Sequence, residues 1–320
     1  MNRRGNNKKT KLISVMTACF NEEENIEQVY HEVKQVFKSL KQYRYEHVFI
    51  DNSSKDKTVE ILKRIAVKDR NVKIIVNASN FGHIRSPFHG LLQTSGDAVI
   101  SIVADLQDPP KMIADFLRKW EEGYKIVIGV KTQSKENPLI FLIRKIYYHL
   151  IAMVSETEQV KNFTGFGLYD RDVIAILKQF RDPSPYFRGM IAEIGFERAE
   201  VPYTQPKREK GKSKNNFYTL YDMAMLGFVN HSKVPLRMAV FIGFIVAVIS
   251  FLISMVYLAY KLIYWDRFQL GMAPMVIGFF FLMSVQMIFI GFLGEYVSAI
   301  YAQVKNRPLV VEKERVNFDK

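Results

Sequence analysis

Apolar and polar positions alternate along the first half of the chain in a way that predicts strands and helices in turn. Short apolar runs, each ended by polar residues, predict buried strands at Leu12–Phe20, Tyr45–Ile50, Val72–Val76, Ala98–Ala104 and Ile126–Val130. Apolar residues between the first two runs recur at helical spacing: Ile26, Val29, Val33, Phe37 and Leu40. Strands that alternate with helices indicate an α/β domain with a parallel, doubly wound sheet.

Polar clusters follow four of these predicted strands. They are Asn21/Glu22, Asp51/Asn52, Asn80 and Asp105/Asp108. Because ligands bind at the carboxyl ends of the strands in open α/β sheets, we expect the clusters to converge on one site. No glycine-rich phosphate loop follows the first strand, which argues against dinucleotide-binding and ATPase sites.

The fourth cluster, Asp-Leu-Gln-Asp-Pro-Pro at residues 105–110, carries the most specific chemistry. Its carboxylate and amide oxygens suit a hard divalent cation, Mg²⁺ or Mn²⁺, bound together with a diphosphate. An alternative is a helix cap, because Asp108 precedes two prolines that fit a first helical turn. The spacing alone leaves both interpretations open.

Two long apolar runs near the carboxyl terminus predict membrane-spanning helices. Met238–Tyr260 has no charged side chain, and Gln286 is the only strongly polar residue of Met272–Leu293. Each run exceeds the roughly 20 residues that cross a bilayer core. Lysine and arginine are concentrated outside the pair, so the positive-inside rule places the large amino-terminal domain in the cytoplasm. The sequence thus predicts a multi-pass protein of the cell membrane.

Composition adds the character of the partners. The 320 residues include 45 Lys and Arg against 32 Asp and Glu, a net charge of +13, which favours phosphates or an anionic membrane surface. With the site described above, we expect no nucleic-acid partner. The single cysteine, Cys19, lies in an apolar run and is expected to be a core residue rather than a nucleophile.

These features divide the chain into five predicted segments. They are a disordered basic tail (1–10), a cytoplasmic α/β domain (11–206), a basic loop with an interfacial helix (207–236), two transmembrane helices (237–296) and a cytoplasmic tail (297–320). Two amphipathic stretches, residues 138–154 and 217–231, are predicted to lie in the membrane interface.

Several motifs, taken in order, resemble one enzyme family. Phe20–Ile26 is similar to Tyr-Asn-Glu-Glu-x-Asn-Ile, and Asp51–Thr58 to Asp-Asp-Gly-Ser-x-Asp-x-Thr. Further matches are Asn80-Phe81-Gly82, Ala104–Pro110, Arg208-x-x-Gly211-x-Ser213-Lys214, Gly294-Glu295-Tyr296 and Lys305-x-Arg307-Pro308. With two apolar helices behind them, the motifs resemble those of polyprenyl-phosphate glycosyltransferases, inverting family 2 enzymes related to dolichyl-phosphate mannose synthase and bactoprenol glucosyltransferases.

The resemblance implies a GT-A fold with Rossmann-like topology. It implies transfer of a monosaccharide from a nucleotide sugar, with a UDP-hexose favoured, to undecaprenyl phosphate. The implied nucleotide-binding residues are Glu22, Asp51, Asn52, Asn80 and Asp105. The implied metal ligands for Mg²⁺ or Mn²⁺ are Asp105 and Gln107. The implied catalytic residues are Asp105, Asp108, Arg208, Lys212 and Lys214. The three basic residues among them are implied to bind the phosphates of the acceptor or the donor.

The chain departs from the family pattern at two acidic positions. Val103 stands where relatives usually have the first Asp of Asp-x-Asp, and Gly165-Phe166-Gly167 stands where they often have Asp-Phe-Arg. One proposed general base is therefore missing. A phosphate monoester, whose second pKa is about 6, is already a dianionic nucleophile at neutral pH, so no base is required.

Alternatives and partners follow from these departures. A processive polysaccharide synthase is disfavoured, because Gln-x-x-Arg-Trp is absent. A catalytically weak partner of a glycan-assembly or flippase complex remains the alternative function. Gly291 and Gly294 allow close helix approach, so we expect a homo-oligomer. For His83, Arg85 and His89, we favour a solvated helix face over contact with the donor.

Overall fold

The computed structural model describes residues 10–133, 163–206, 234–264 and 272–318, and these form one mixed sheet of eight strands with flanking helices. The strands are β1 (Leu12–Cys19), β2 (Arg44–Asp51), β3 (Val72–Asn77), β4 (Ala98–Val103), β5 (Ile126–Gln133), β6 (Phe163–Asp170), β7 (Arg198–Thr204) and β8 (Glu312–Val316). The helices are α1 (Ile26–Ser39), α2 (Thr58–Lys68), α3 (Gly82–Leu92), α4 (Ile113–Glu121), α5 (Arg171–Leu177), α6 (Phe187–Ile194), α7 (Val234–Ile263) and α8 (Met272–Val304).

Four parallel strands form the centre of the sheet, whose order is β7-β5-β6-β4-β1-β2-β3-β8. β1 pairs in parallel with both β2 and β4, and β2 pairs in parallel with β3. The carboxyl ends of these strands therefore meet at one edge, as predicted. The predicted α/β class is confirmed.

The predicted parallel pairing does not extend to the outer strands of the sheet. β6 lies antiparallel between β4 and β5, and β8 lies antiparallel to β3. Apolar periodicity reports which side chains are buried and carries no information on strand direction, which depends on the path between strands. The antiparallel direction brings the start of β6 to the same edge as the end of β4.

The sheet is covered on both faces. On one face, α1 and α4 pack Val33 and Phe116 against Ile100 of β4. On the other face, α3 and α6 pack Phe88 and Ile191 against neighbouring strands. Since side chains alternate along a strand, Val103 at the end of β4 points to the α3 and α6 face.

The two carboxyl-terminal helices differ from the rest because their side chains are largely exposed. Residues 239–263 and 278–304 are long and apolar enough to cross a membrane, with mean hydropathies of 2.8 and 1.7, and neither stretch is buried within the structure. A methyl group added at Gly291 or Gly294 would meet no atom of the described residues within 4 Å. The predicted interfacial stretches at 138–154 and 217–231 lie outside the described residues.

The segment predicted as a carboxyl-terminal tail, 297–320, is structured where it is described. Helix α8 continues to Val304, eight residues beyond the predicted boundary at 296, and β8 then joins the sheet beside β3. The sequence of β8, Glu-Lys-Glu-Arg-Val, looks like a solvated tail because four of its five residues are charged. Charged side chains are also typical of an edge strand, and here they cover the β3 edge.

Candidate active site

Backbone strain concentrates at the carboxyl edge of the parallel strands. Asn21 follows β1, Ser53 follows β2 and Leu106 follows β4, and all three have a positive φ of 54°, 64° and 60°. Non-glycine residues rarely adopt this left-handed conformation, which costs of order 1–3 kcal/mol and clusters at functional sites. The strained turns thus coincide with the polar clusters that the sequence singled out.

The turns after β1 and β2 are joined into one unit by hydrogen bonds. The backbone N–H of Asn21 donates to Ser54 Oγ (2.8 Å), and its side-chain oxygen accepts from the backbone N–H of Lys55 (2.8 Å). The Glu22 N–H donates to Thr58 Oγ1 (2.9 Å). Glu22 Oε2 accepts from the Asn25 side chain (2.8 Å), so this half-buried carboxylate is held in place at the edge.

Asp51 ends β2 and is fully buried. Its carboxylate accepts from the backbone N–H of Ser54 (2.9 Å) and from the Ser54 hydroxyl. Burial raises the pKa of Asp51, while the hydrogen bonds from Ser54 oppose the shift. In this conformation the carboxylate shapes the turn, and contact with a nucleobase requires the turn to open.

Asn52, the next residue, organises the turn after β3. Its amide nitrogen donates to Asn80 Oδ1 (2.8 Å) and to the Gly82 carbonyl (3.1 Å). Its oxygen accepts from the Phe81 N–H (2.9 Å) and from Asn77 Nδ2 (3.2 Å). The structure therefore brings Asn52 and Asn80 together as predicted, but both side chains are engaged with protein groups. A direct nucleotide contact by either one stays a prediction.

The Asp105–Asp108 turn presents two oxygen-bearing side chains at the edge and buries a third. Asp105 is half-buried, and its Oδ1 accepts from the backbone N–H of Gln107 (3.1 Å). Asp108 is 4% exposed and accepts from the Tyr203 hydroxyl (3.2 Å). Burial and the nearby charge of Asp105 raise the pKa of Asp108 to about 7, although Lys131 acts in the opposite direction.

The helix-cap interpretation of Asp108 is wrong. Neither the 3₁₀ turn Pro110–Met112 nor α4 has a side-chain cap hydrogen bond. Asp108 instead bonds to Tyr203 at the end of β7, and the backbone of Val103 supplies a further hydrogen bond. The residue therefore links the turn to β7 and to the end of β4.

Asp105 and Gln107 could hold a divalent cation only together with oxygens from a bound diphosphate. Within the described ranges, no group of three His, Cys, Asp or Glu side chains is arranged to hold a metal ion. Mg²⁺ commonly binds through one or two carboxylates and completes its shell with substrate phosphates and water. One carboxylate and one amide oxygen match that pattern, provided that a diphosphate supplies further oxygens.

A cavity of about 330 Å³, here called the α3–α6 cavity, opens beside this turn. Helix α3, the end of β4, the start of β6 and the start of α6 form its walls. Val103 and Gly165, the two positions that lack a family carboxylate, both line it, together with Asp108. Its volume is at the lower end of the range of small-molecule pockets, about 300–1,000 Å³.

Sequence reasoning missed four residues around the site: Lys131, Thr164, Arg188 and Tyr203. They come from β5, β6, α6 and β7, so no local motif joined them to the Asp105 turn. Tertiary structure alone brings them there. Their sequence positions gave one weak signal of a role in the site, a polar or aromatic residue at the end of an apolar run, as at Lys131.

Other predictions near the site have mixed outcomes. Cys19 is buried, as expected for a core residue. The solvated helix face is wrong for two residues, because His89 Nε2 lies 2.5 Å from Glu312 Oε1 and Arg85 donates to the Pro183 carbonyl (2.8 Å). Arg208, Lys212 and Lys214 lie outside the described residues, and their roles stay predictions.

Comparison with known proteins identifies the family. Residues 14–177 match the model of glycosyl transferase family 2. The SfII prophage-derived bactoprenol glucosyl transferase of Shigella flexneri is 35% identical over 94% of this chain and 97% of that protein. The uncharacterized glycosyltransferase YkcC of Bacillus subtilis is 30% identical over 96% of this chain and 94% of that protein.

Solved structures show only a distant likeness. The Mycobacterium tuberculosis glucosyl-3-phosphoglycerate synthase matches with a TM-score of 0.46 and 19% identity, over 68% of this chain and 78% of that one. No ligand position is transferred from it. The family match spans half of the chain, and the similarity to the Shigella protein extends over nearly all of it. The predicted GT-A class is thereby confirmed, and the chain is a glycosyltransferase that belongs to glycosyl transferase family 2.

Proposed function

We propose that this protein transfers a monosaccharide from a UDP-sugar to undecaprenyl phosphate, with inversion, at the cytoplasmic face of the cell membrane. One observation carries the proposal: the 35% identity, over nearly the full length of both chains, to a protein named bactoprenol glucosyl transferase. The polar turns at the carboxyl edge of β1, β2 and β4 supply the donor site that such a reaction needs.

The donor nucleotide binds along the edge formed by the first two turns. A carboxylate accepts the imide N–H of uracil, and Asp51 is the residue assigned to that contact. Because Asp51 is bonded to Ser54, donor binding exchanges this internal bond for one to the base. Glu22 lies in the turn joined to it and is assigned to the ribose.

Asp105 and Gln107 hold the Mg²⁺ or Mn²⁺ ion with the donor diphosphate. A divalent cation supplies Lewis-acid stabilisation of the negative charge that develops on the leaving diphosphate. Leu106, strained between the two ligands, keeps the Asp105 carboxylate and the Gln107 side chain on one short turn.

The acceptor phosphate reacts without a general base. An oxygen of the dianionic phosphate attacks the anomeric carbon, a new C–O bond forms, and the bond to the diphosphate breaks with its electron pair leaving on the nucleotide. No proton has to move, which agrees with glycine at position 165. Arg208, Lys212 and Lys214 of the basic loop are assigned to the phosphates. They must bind the acceptor phosphate weakly enough that its oxygen stays nucleophilic.

The membrane helices bring the enzyme to its acceptor. The polyprenyl chain is buried in lipid, and α7 and α8 are each long enough to span the bilayer beside it. The cation-rich segments that flank the helix pair support a cytoplasmic position of the catalytic domain by the positive-inside rule. Homo-oligomerisation through Gly291 and Gly294, and association with a flippase, are further parts of the proposal.

The test is transfer from radiolabelled UDP- and GDP-sugars to undecaprenyl phosphate in detergent, with Mg²⁺, Mn²⁺ or EDTA. We expect one labelled lipid product, from a UDP-sugar, that is lost in EDTA. Asp105→Ala should lower the rate by about 100-fold or more, the usual cost of removing a group that stabilises transition-state charge. The matched control is Asp115→Asn, an exposed carboxylate on α4, which should leave the rate unchanged.

A second candidate function is favoured by Val103 and Gly165, where the chain lacks two carboxylates. It is a catalytically weak protein that binds nucleotide sugar or lipid phosphate within an assembly or flippase complex. Absence of transfer with every donor, alongside retained UDP binding, would support this candidate and exclude the transferase reaction.

A further inference from the structure

An exposed apolar side chain stands at the edge of the donor site. Val103 is the last residue of β4, and it is 43% exposed whereas Ala98, Val99, Ile100 and Ile102 are buried. It lines the α3–α6 cavity two residues before Asp105, the residue assigned to the metal and diphosphate. The sugar of a bound nucleotide sugar is attached to that diphosphate, so Val103 is within the region that the sugar occupies.

The walls near Val103 carry aromatic side chains beside the polar residues Ser101 and Asp108. Phe88 from α3 and Phe166 from β6 line the cavity and are almost completely buried. Phe187 packs edge-on against Tyr169, with ring centroids 5.0 Å apart, and lies 6.3 Å from the ring of Phe88. This packing fixes the aromatic wall, which has no hydrogen bond to offer a sugar hydroxyl.

Gly165 leaves space at the opposite wall. Its φ is +99°, and among the described residues a methyl group built there would meet the ring of Phe187 alone, at 3.5 Å and 3.8 Å, which is ordinary van der Waals contact. Glycine at 165 and valine at 103 add volume and apolar surface to the cavity, and neither adds a carboxylate to that of Asp108, which is buried beside them.

Hydrogen-bond donors remain at the rim. Arg188 is half-buried beside the cavity, and its guanidinium donates to the Phe163 carbonyl over a long 3.4 Å and lies 5.2 Å from the ring centre of Tyr186. No carboxylate among the described residues forms a salt bridge with it. Among the described residues, the hydrogen bond to the Phe163 carbonyl uses one of the five N–H donors of this guanidinium. Thr164 adds an exposed hydroxyl, which is also hydrogen-bonded to Tyr203.

We infer that the α3–α6 cavity receives the acylamino group of the transferred sugar, which makes the donor a nucleotide-linked N-acetylhexosamine rather than the unsubstituted hexose expected from the resemblance. The inference rests on the proposed function and refines its substrate. The acetyl methyl group packs against Val103 and the aromatic wall. The amide carbonyl accepts from Arg188 or Thr164 at the rim.

An unsubstituted hexose fits this cavity less well for two reasons. A hydroxyl in the place of the acetyl methyl group would face Val103 and Phe187, whose side chains offer it no hydrogen bond, and the space beside Gly165 would stay unfilled. Differences of one apolar group in a pocket give about 10–200-fold discrimination in kcat/KM.

The experiment compares kcat/KM for UDP-N-acetylglucosamine and UDP-glucose, and for the matching galactose pair, with undecaprenyl phosphate as acceptor. We expect the N-acetylated donor of one pair to be preferred by about 10-fold or more. The variant Val103→Thr keeps the shape of the side chain and replaces a methyl group by a hydroxyl. It should reduce the preference by about 5-fold or more, mainly by lowering kcat/KM for the N-acetylated donor.

The control is Val67→Thr, the same substitution at an 84% exposed valine on α2, which should leave the preference unchanged. A preference for the hexose, or a preference that Val103→Thr does not alter, would overturn the inference while the transferase reaction stands. Absence of transfer from every donor would instead contradict the proposed function. The wild-type ratio is informative by itself, so the outcome does not depend on the folding of a variant.

Discussion

Adjacent polar residues at the edge of the sheet have separate tasks. Asp51 shapes its own turn through Ser54, while Asn52 reaches the turn after β3 and bonds to Asn77, Asn80 and Phe81. In the sequence both look like ligand-binding residues, because each is a polar group directly after a buried strand. The hydrogen bonds show that both the nitrogen and the oxygen of the Asn52 side chain are engaged with protein groups.

A second buried polar residue, His47, gives a prediction on pH. It is fully buried in β2, its Nε2 lies 2.9 Å from Thr17 Oγ1, and its Nδ1 has no hydrogen-bond partner within the part of the chain that the structure describes. Burial lowers the pKa of His47 to about 3, despite an opposing contribution from Asp69. An unfolded histidine has a pKa of about 6.5. Between these values the unfolded chain binds a proton that the folded chain does not.

The free energy of unfolding should therefore fall as the pH drops from about 6.5 towards 3, by about 1.4 kcal/mol per pH unit from this group. The variant His47→Gln retains a hydrogen-bonding group for Thr17 and does not titrate. Its loss of stability between pH 7 and pH 5 should be smaller than that of the wild type by ~2 kcal/mol. Denaturant unfolding in detergent at both pH values measures the difference. Parallel pH dependence in the two proteins would contradict the assignment.

At the scale of elements, β8 connects the carboxyl-terminal helix to the catalytic sheet. Glu312 pairs with His89 of α3, and Lys63 of α2 pairs with Glu314 at 2.6 Å. The side chain of Asn317 donates to the Ala66 and Val72 carbonyls at 2.9 Å and 2.8 Å. The strand begins eight residues after the end of α8, so it restrains the carboxyl-terminal end of that helix relative to β3.

Removal of β8 should destabilise the catalytic domain. A chain ending at Pro308 loses the β3 ladder and the buried Val310, and it exposes the edge of β3. We expect a lower melting temperature and increased aggregation, because an uncovered edge strand is free to pair with another chain. The milder variant Glu312→Gln, which keeps the strand and weakens its contacts with His89 and Arg315, should lower the melting temperature less.

The measurement is thermal unfolding in detergent with size-exclusion chromatography of both variants. Equal melting temperatures for the full and shortened chains would show that β8 adds nothing to the stability of the sheet.

For the whole molecule, the exposed apolar surface of α7 and α8 decides the environment. The two helices, of 30 and 33 residues, expose apolar side chains such as Phe241, Phe251, Phe280 and Ile288. Soluble monomers rarely expose contiguous apolar patches larger than a few hundred Å². A bilayer would cover this surface, and in the proposed reaction it would also hold the lipid acceptor.

The full chain should therefore behave as an integral membrane protein. We expect it to stay in the membrane pellet after washes with high salt and alkaline carbonate, and to be released only by detergent. Salt would remove a protein held by its +13 net charge alone, because ionic attraction is screened while apolar burial is not. Release by either wash would contradict insertion of α7 and α8.

The order of apolar and polar residues was sufficient to predict the features that depend on neighbouring positions in the chain. Apolar runs and polar breaks located the first five strands and the edge at which Asp51 and Asp105 lie, because burial of one face fixes that pattern. The lengths of the two apolar runs identified α7 and α8, and the ordered motifs identified the family that the comparisons confirm.

Strand direction and the contacts between distant residues depend on long-range packing, and they were seen only in the three-dimensional structure. The antiparallel β6 and β8, the hydrogen bond from Tyr203 to Asp108 across 95 positions, and the meeting of Val103 with Gly165 and Arg188 in one cavity have no local signature. A charged edge strand such as β8 has the composition of a solvated tail, and the sequence does not distinguish a buried aspartate from an exposed one. The difference arises from which distant segment packs against each of them.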